Sequence, residues 1–163
     1  HILKLMNRKY DLDYFFHKIE QIRKIRKDIA ISTDVIVGFP NETEEDFKDT
    51  LDTCRKLFFS KIHVFPYSER KGTKASELDG HIPGNIKKER ARTLLSLSKE
   101  LEIAYMEKFI GEKVEVLIEE VKNGKSYGHT SNYIHVEIER KLPRNNMVEV
   151  TLEKIEYPYV IGK

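Results

Sequence analysis

The sequence contains only one cysteine, Cys54, among its 163 residues. A single thiol excludes an internal disulfide and a metal site built from several cysteines, and it is typical of a reducing compartment. No apolar run approaches the about 20 residues that a membrane-spanning helix needs. The N-terminal segment HILKLMNRKY is too short and too charged for a signal peptide. The sequence therefore predicts a cytoplasmic protein with no membrane partner.

The sequence also lacks a strong excess of charge of one sign. Its 29 Lys and Arg residues oppose 27 Asp and Glu residues, and the resulting net charge of +2 does not by itself indicate nucleic-acid binding. The basic side chains form short local clusters, which we predict to be solvated helix faces. These clusters are Arg8 and Lys9; Arg23, Lys24, Arg26 and Lys27; Arg70, Lys71 and Lys74; and Lys87, Lys88, Arg90 and Arg92.

Common catalytic motifs are missing as well. No phosphate-binding glycine loop, nucleophile triad or paired-carboxylate motif occurs, and His17, His81, His129 and His135 lack metal-ligand spacing. His63 lies in an apolar run, where burial or pairing with a neighbour is the favoured interpretation. Cys54 lies at helical spacing from the apolar residues Phe47, Leu51 and Phe58, which predicts a packed thiol and not a nucleophile or ligand.

What the sequence does contain, in residues 1 to 106, is an alternation of helices and strands. Asp11 is a predicted cap for a helix that ends near Asp28, and the β-branched run 29–37 predicts a strand buried on both faces. Thr43 caps a second helix, and residues 61–65 form a second strand. Such an order favours parallel strands with a right-handed crossover. Because two parallel strands do not complete a sheet, we expect the α/β part to be truncated on its N-terminal side.

A long helix is predicted to begin around residues 83–86 and to end near Gly111. The pattern changes at its end, so the second domain is assigned to residues 107 to 163. The segment KVEVLIEEV alternates apolar and polar residues, and Asn123 with Gly124 forms a strong hairpin signal. The segments YIHVEIE, MVEVTLEKI and YVIG predict further strands. The sequence therefore predicts an α/β domain over 1–106 and a small antiparallel five-stranded β-barrel over 107–163.

Functional residues of parallel sheets gather where the strands end. Here those ends are residues 37–40 and 65–68. Gly38 would permit close approach of a ligand, and the helix that starts after Thr43 would offer free N–H groups. Three carboxylates at 44–46 argue against a bound phosphate. A packed turn with a good cap explains the same residues equally well.

The predicted barrel carries exposed aromatic and amide residues beside a turn: Tyr127, His129, Asn132 and Tyr133. Such side chains stack on unpaired bases and bond to their edges, as small barrels do with single-stranded RNA. Plain packing across the sheet is the alternative that the residues leave open.

Seven segments, in order, resemble the C-terminal part of the radical S-adenosylmethionine methylthiotransferases. The segments HVFPYSERKGT and GHTSNY are most similar to the branch that modifies N6-threonylcarbamoyladenosine beside the tRNA anticodon. The seven segments are LKLMNRKY (3–10), TDVIVGFPNETEEDF (33–47), HVFPYSERKGTKA (63–75), KKERARTLLSLS (87–98), FIGEKVEVLIEE (109–120), GHTSNYIHV (128–136) and YPYVIG (157–162).

The resemblance implies a longer enzyme with an N-terminal methylthiotransferase domain, a radical domain built as an incomplete TIM-like α/β barrel, and a C-terminal TRAM domain that binds RNA. It implies S-adenosylmethionine and two [4Fe-4S] clusters as cofactors, with cluster cysteines that this sequence lacks. The expected chemistry inserts a methylthio group at C2 of the adenine through a 5′-deoxyadenosyl radical, which a cofactor can generate and side chains cannot. The fragment alone is therefore expected to be inactive. Its expected partners are the tRNA anticodon stem-loop and the missing N-terminal domains.

The same resemblance suggests which residues contact cofactor and substrate. Two groups are expected on the α/β domain and one on the barrel. The cofactor wall would consist of Ile36, Val37, Gly38, Phe65, Pro66 and Tyr67; the open face of the α/β domain would present Arg8, Tyr10 and Arg70; and the tRNA contacts of the barrel would be Lys122, Lys125, His129, Asn132 and Tyr133.

Three alternatives remain open at this point. The first is another branch of the same family, acting on isopentenyladenosine or on ribosomal protein S12. The second is an RNA-binding module without chemistry, and the third is a purely structural α/β plus β unit.

Overall fold

The computed structural model describes residues 1–163, which form two compact units, His1–Leu101 and Glu102–Lys163. The division falls inside the longest helix, whereas the predicted domain boundary lies at 106/107, near the end of that helix. No helix is long and apolar enough to cross a bilayer. The elements of the first unit, in order, are α1 (Ile2–Leu5), α2 (Leu12–Ile25), β1 (Ser32–Val37), α3 (Glu44–Leu57), β2 (Lys61–Pro66), a short 3-10 helix (Lys74–Glu77) and α4 (Gly84–Glu107), which continues into the second unit.

Strands β1 and β2 form a parallel pair, which confirms the predicted arrangement. The register joins Ser32 to Lys61 and Val37 to Pro66. The prediction that β1 is buried on both faces is wrong, because Ser32, Asp34 and Ile36 are exposed on alternate positions. His63, which pairs with Asp34 in the strand register, is also exposed, so of its two predicted settings, burial and pairing with a neighbour, burial is wrong. One face of this two-stranded sheet is therefore open.

The helices around this strand pair begin where the sequence predicts. Asp11 caps α2 by accepting the N–H of Tyr14 at 2.9 Å, and Thr43 caps α3. The covered face of the sheet and the apolar faces of α2, α3 and α4 share one core. That core contains Ile19, Val37, Phe47, Cys54, Leu57, Phe59, Ile62, Ala91, Leu94, Leu97 and Leu101.

The second unit contains a closed five-stranded barrel in the order β3, β4, β5, β7, β6. Its strands are β3 (Lys113–Lys122), β4 (Lys125–Thr130), β5 (His135–Ile138), β6 (Met147–Glu156) and β7 (Tyr159–Gly162). The predicted small five-stranded barrel is confirmed, but it is mixed and not wholly antiparallel. Strand β7 follows a tight turn after β6 and closes the barrel by pairing in parallel with β5.

The interior of the barrel is filled by alternate residues of its strands, as expected for a small closed sheet. These inward side chains are aliphatic and almost fully buried, and the outward positions between them are mostly polar or aromatic, although Leu117, between Val116 and Ile118, is an exposed leucine. The buried set comprises Val116, Ile118, Ile134, Val136, Ile138, Val150, Leu152 and Val160. The Asn123 and Gly124 turn joins β3 to β4 with positive φ at both residues, as predicted.

Candidate functional site

The C-terminal ends of β1 and β2 lie side by side. Ile36 pairs with Phe65 and Val37 with Pro66, and the N–H of Tyr67 donates to the Val37 carbonyl at 2.8 Å. Ile36 is 38% exposed and Phe65 is 50% exposed, so both present side-chain surface on the open face of the sheet. Val37 is only 1% exposed and packs in the core. Among these paired residues, Ile36 and Phe65 are thus the ones whose side chains lie on the open face of the sheet.

Glu42 holds the turn that follows β1. Its side chain is buried, and its carboxylate accepts hydrogen bonds from the N–H groups of Gly38 and Phe39, the latter at 3.2 Å. Burial raises the pKa of Glu42, while these two bonds and the charge of Arg90 oppose the rise. Both N–H groups are therefore committed to a side chain of this chain.

Arg90 of α4 is the cationic partner of that buried carboxylate. Its Nη1 atom lies 3.0 Å from the Glu42 carbonyl oxygen and 3.4 Å from Glu42 Oε1, and its Nη2 atom contacts Glu44. The guanidinium also lies over the ring of Phe47, and its Nε atom is buried without a hydrogen-bond partner. The prediction that Arg90 belongs to a solvated helix face is wrong, because only 5% of this residue is exposed.

Lys87 occupies the space beside Gly38 that the sequence suggested for a ligand. A Cβ on Gly38, where φ is +70°, would lie 2.2 Å from Lys87 Cγ. The ammonium of Lys87 donates to the Tyr67 carbonyl at 3.2 Å. The missing side chain of Gly38 thus makes room for Lys87, which links the two strand ends. The glycine is therefore explained by this lysine and not by the expected approach of a ligand.

The start of α3 is closed by its own side chains. Thr43 Oγ1 accepts the N–H of Asp46 at 3.1 Å, and Asp46 Oδ2 accepts the N–H of Thr43 at 2.9 Å. Burial favours a higher pKa for Asp46, but the bonds from Thr43 outweigh it and lower that pKa. The expectation of free N–H groups here is therefore wrong at these positions, because a capping box uses them.

Tyr67 completes the strand-end group. Its ring packs edge-on against Phe39 with centroids 5.2 Å apart, and its hydroxyl oxygen is buried without a hydrogen-bond partner. Pro66 is exposed at the end of β2. The cofactor-wall residues thus lie together in one place, although their side chains do not all reach the same surface.

The other residues predicted on the α/β unit occupy separate local settings. Arg8 is exposed in the turn after α1, and the ring of Tyr10 stacks on Phe15 at 5.9 Å. Arg70 is exposed in the loop after β2, where its carbonyl accepts the Thr73 hydroxyl at 2.8 Å. Their role toward a substrate stays a prediction.

The predicted lysines of the barrel lie at the tip of the β3–β4 hairpin, where Lys122 pairs with Lys125. The ammonium of Lys125 contacts Glu137 and lies 3.6 Å from Glu139. The hydrogen bond with Glu137 raises the pKa of Lys125. Since two carboxylates already neutralise this lysine, Lys122 is the freer cation of the hairpin tip.

The remaining predicted barrel residues separate into exposed and buried positions. Tyr133 is 82% exposed, and His129 is half-buried with its Nδ1 atom 2.6 Å from Glu119. Asn132 is only 7% exposed, and its amide oxygen accepts the Thr130 hydroxyl at 2.6 Å. Asn132 therefore stabilises the turn between β4 and β5 and does not extend the exposed surface.

The donor atoms of an iron–sulfur cluster are not present in this chain. Cys54 is its only cysteine, it is buried in the core, and burial raises the pKa of its thiol to about 11. No group of three or more His, Cys, Asp or Glu side chains is arranged to hold a metal ion. Since such clusters need several thiolates, the residues of this chain do not fit one.

Lys87, Glu42 and Arg90 hold the strand ends in place but are not among the predicted site residues. Each was visible in the sequence only as one more charged residue in a charged segment. A signal existed in the spacing of Gly38 and Glu42, since a carboxylate four residues after a strand-end glycine can reach back to its N–H. Nothing local indicated that Arg90, on a distant helix, would be its partner.

A parallel strand pair covered by helices, joined through one long helix to a small closed barrel, defines a two-unit α/β plus β protein. No protein-family model matches the chain. It is 35% identical, over 99% of its length and 37% of the relative, to the threonylcarbamoyladenosine tRNA methylthiotransferase MtaB of Bacillus subtilis. It is 38% identical to the MtaB of Chlamydia pneumoniae, over 99% of the chain and 39% of the relative.

A second group of relatives carries a different name. The tRNA-2-methylthio-N(6)-dimethylallyladenosine synthase of Aquifex aeolicus is 48% identical over 80% of the chain and 30% of the relative. The chain therefore belongs to the methylthiotransferase family, and the MtaB-like branch matches it along nearly its whole length. The chain spans about a third of the length of these relatives.

Proposed function

We propose that this chain is the C-terminal part of a tRNA methylthiotransferase that adds a methylthio group at C2 of N6-threonylcarbamoyladenosine, next to the anticodon. The observation that carries the proposal is the alignment of two relatives of that name over 99% of the chain. Five relatives named as dimethylallyladenosine synthases match 72–80% of the chain. Their higher local identity makes modification of isopentenyladenosine the second candidate.

In this proposal the first unit supplies one wall of a radical S-adenosylmethionine barrel. Bound S-adenosylmethionine would supply the radical that breaks the adenine C–H bond. Ile36 and Phe65 would pack against the adenine ring of S-adenosylmethionine itself, since they offer adjoining apolar surface at the strand ends. Glu42, Arg90 and Lys87 would act as positioning residues that keep those strand ends in place. Because the cluster cysteines lie elsewhere in such an enzyme, the chain alone would be inactive.

The second unit would be the TRAM domain that holds the anticodon stem-loop of tRNA. Small closed barrels recognise RNA through outward aromatic and basic side chains, and this barrel carries both. The names of the relatives, which are tRNA-modifying enzymes, support tRNA as the partner. Arg8, Tyr10 and Arg70 of the first unit stay candidate substrate contacts.

Mass spectrometry of tRNA nucleosides tests this assignment. In cells that lack the gene, 2-methylthio-threonylcarbamoyladenosine should disappear while threonylcarbamoyladenosine remains, and the reintroduced gene should restore it. Persistence of that methylthio group would refute the assignment. Loss of the methylthio group from isopentenyladenosine instead would establish the second candidate.

A further inference from the structure

The loop that joins β2 to α4, residues 67–83, returns to the turn that follows β1. In that turn, the N–H of Asn41 donates to the Gly80 carbonyl of the loop at 2.9 Å. Both residues have positive φ, +66° at Asn41 and +73° at Gly80. We call this junction the Asn41–Gly80 clasp. It ties the loop to the same turn whose other N–H groups are held by Glu42.

The clasp has no room for a side chain at position 80. A Cβ on Gly80 would overlap Asn41 Oδ1 and would lie 2.9 Å from Asn41 Cγ. An alanine there would also be strained by its positive φ. Gly80 therefore admits the Asn41 side chain, and the loop is held by steric fit as well as by the hydrogen bond.

The rest of the β2–α4 loop is held at two further points. At its start, the Tyr67 carbonyl accepts the Lys87 ammonium at 3.2 Å, and the Tyr67 ring lies 6.3 Å from the ring of His81. In its middle, the Thr73 hydroxyl donates to the Arg70 carbonyl at 2.8 Å. The start, the middle and the end of the loop thus each have their own contact.

Between these points the loop carries three cations within five residues. They are Arg70, Lys71 and Lys74, all exposed and none of them in an ion pair. The acidic residues of the loop lie outside this run, at positions 69, 77 and 79. The three charges are therefore available to an anionic ligand, a few residues after the exposed end of β2.

We propose that Asn41 and Gly80 are positioning residues of the α/β unit, which hold the β2–α4 loop so that its three cations meet phosphates of the substrate RNA beside the strand ends. Neither residue touches the reacting atoms. A loop fixed in advance loses less conformational entropy on binding than a mobile one, so the clasp strengthens substrate binding through the cations. The inference rests on the proposed function for its choice of RNA.

Limited trypsin digestion of the chain tests the clasp itself. Cleavage after the three cations requires the loop to open, and Gly80→Ala should speed it about tenfold because the methyl group and the strained φ disfavour the clasp. Adding Asn41→Gly removes the clashing side chain, so the double variant should be cleaved more slowly than Gly80→Ala alone. Gly111→Ala, at φ +88° with no atom within 4 Å of the new Cβ, is the control for backbone strain and should leave loop cleavage unchanged.

Steady-state kinetics of the full-length enzyme, with an anticodon stem-loop that carries threonylcarbamoyladenosine, test the positioning role. Gly80→Ala should raise KM for this RNA about tenfold with kcat nearly unchanged, because the loop contributes to binding and not to bond breaking. Replacing the three cations together by Gln should also raise KM. Adding Gly80→Ala to that triple variant should then change KM little, since the clasp acts through those cations.

The results separate this inference from the proposed function, because the digestion needs no RNA. Unchanged loop cleavage in Gly80→Ala, or faster cleavage with unchanged KM, would overturn the positioning role and leave the nucleoside assignment untouched. A KM increase from Gly80→Ala that is as large without the cations as with them would also overturn it. If Gly80→Ala does not fold, Asn41→Ala takes its place, since alanine disfavours the positive φ of Asn41 but keeps the N–H.

Discussion

At the scale of single residues, the strand ends depend on a buried ion pair. Glu42 and Arg90 are each at most 6% exposed, and the carboxylate holds the N–H groups of the turn after β1. A buried carboxylate without its cation is costly, since neither water nor another charge compensates it. The geometry of the predicted cofactor wall therefore depends on one arginine of α4.

We expect Arg90→Met to lower the free energy of unfolding by about 3 kcal/mol at neutral pH. The charge of Arg90 lowers the pKa of Glu42, so its removal raises that pKa further. The folded variant then disfavours the ionised form of the Glu42 carboxyl group. The loss in free energy of unfolding should therefore grow as pH rises through the raised pKa and shrink below it. Urea unfolding at pH 4.5 and pH 7.5 measures both effects.

The matched control is Arg92→Met, two residues along the same helix, where the side chain is exposed. Its effect should be within the small range of surface substitutions. A deficit for Arg90→Met no larger than that of the control would show that the ion pair does not stabilise the strand ends.

At the scale of elements, α3 begins in a closed capping box that competes with any ligand for its N–H groups. Thr43 and Asp46 each accept a backbone hydrogen bond from the other, and Glu44 and Glu45 add negative charge near the positive end of the helix dipole. This start therefore contributes to stability and not to anion binding.

Asp46→Asn should lower the free energy of unfolding by about 1 kcal/mol at pH 7. The pKa of Asp46 is depressed in the folded protein, so its contribution is present above the usual pKa and is lost as pH falls through the depressed value. The unfolding curves of the variant and the unchanged protein should therefore converge in acid. Asp49→Asn, exposed on the same helix, should show no such convergence; parallel curves for Asp46→Asn at all pH values would contradict the capping role.

Local sequence signals predicted the elements well because caps and hydrophobic spacing act within a few residues. Asp11, Thr43 and the Asn123–Gly124 turn begin or end elements where expected. The parallel β5–β7 pair was missed because it joins strands that are separated in sequence by the whole of β6. The same limit explains Arg90 and Lys87, whose partners lie more than 15 residues away.

Burial was the least predictable property of individual residues. His63 is exposed because one face of the strand pair is open, and no residue near it in sequence indicates that. Asn132 resembles an exposed turn residue, yet Thr130 binds its amide inside the turn. Tyr127 and His129 were predicted beside a turn, but their ring contacts with Tyr159 and His135 were not, because these rings come from three strands and meet only when the barrel closes.

At the scale of the whole molecule, the two units divide the work of the proposed enzyme. The first unit holds the strand ends through buried hydrogen bonds and contains no cluster ligands, and the second presents aromatic rings on the outside of a closed barrel. The chain spans about a third of the length of these relatives, so the proposed catalysis belongs to the whole enzyme. Binding of tRNA, in contrast, is a property that this chain should show by itself.

The most direct test of this account is the affinity of the chain for an anticodon stem-loop compared with a blunt duplex of the same stem. We predict saturable, salt-sensitive binding of the stem-loop that is clearly tighter than binding of the duplex, because only the loop offers unpaired bases. Equal affinity for the two RNAs, or no binding of either at low salt, would contradict the claim that this chain is the tRNA-binding part of a methylthiotransferase.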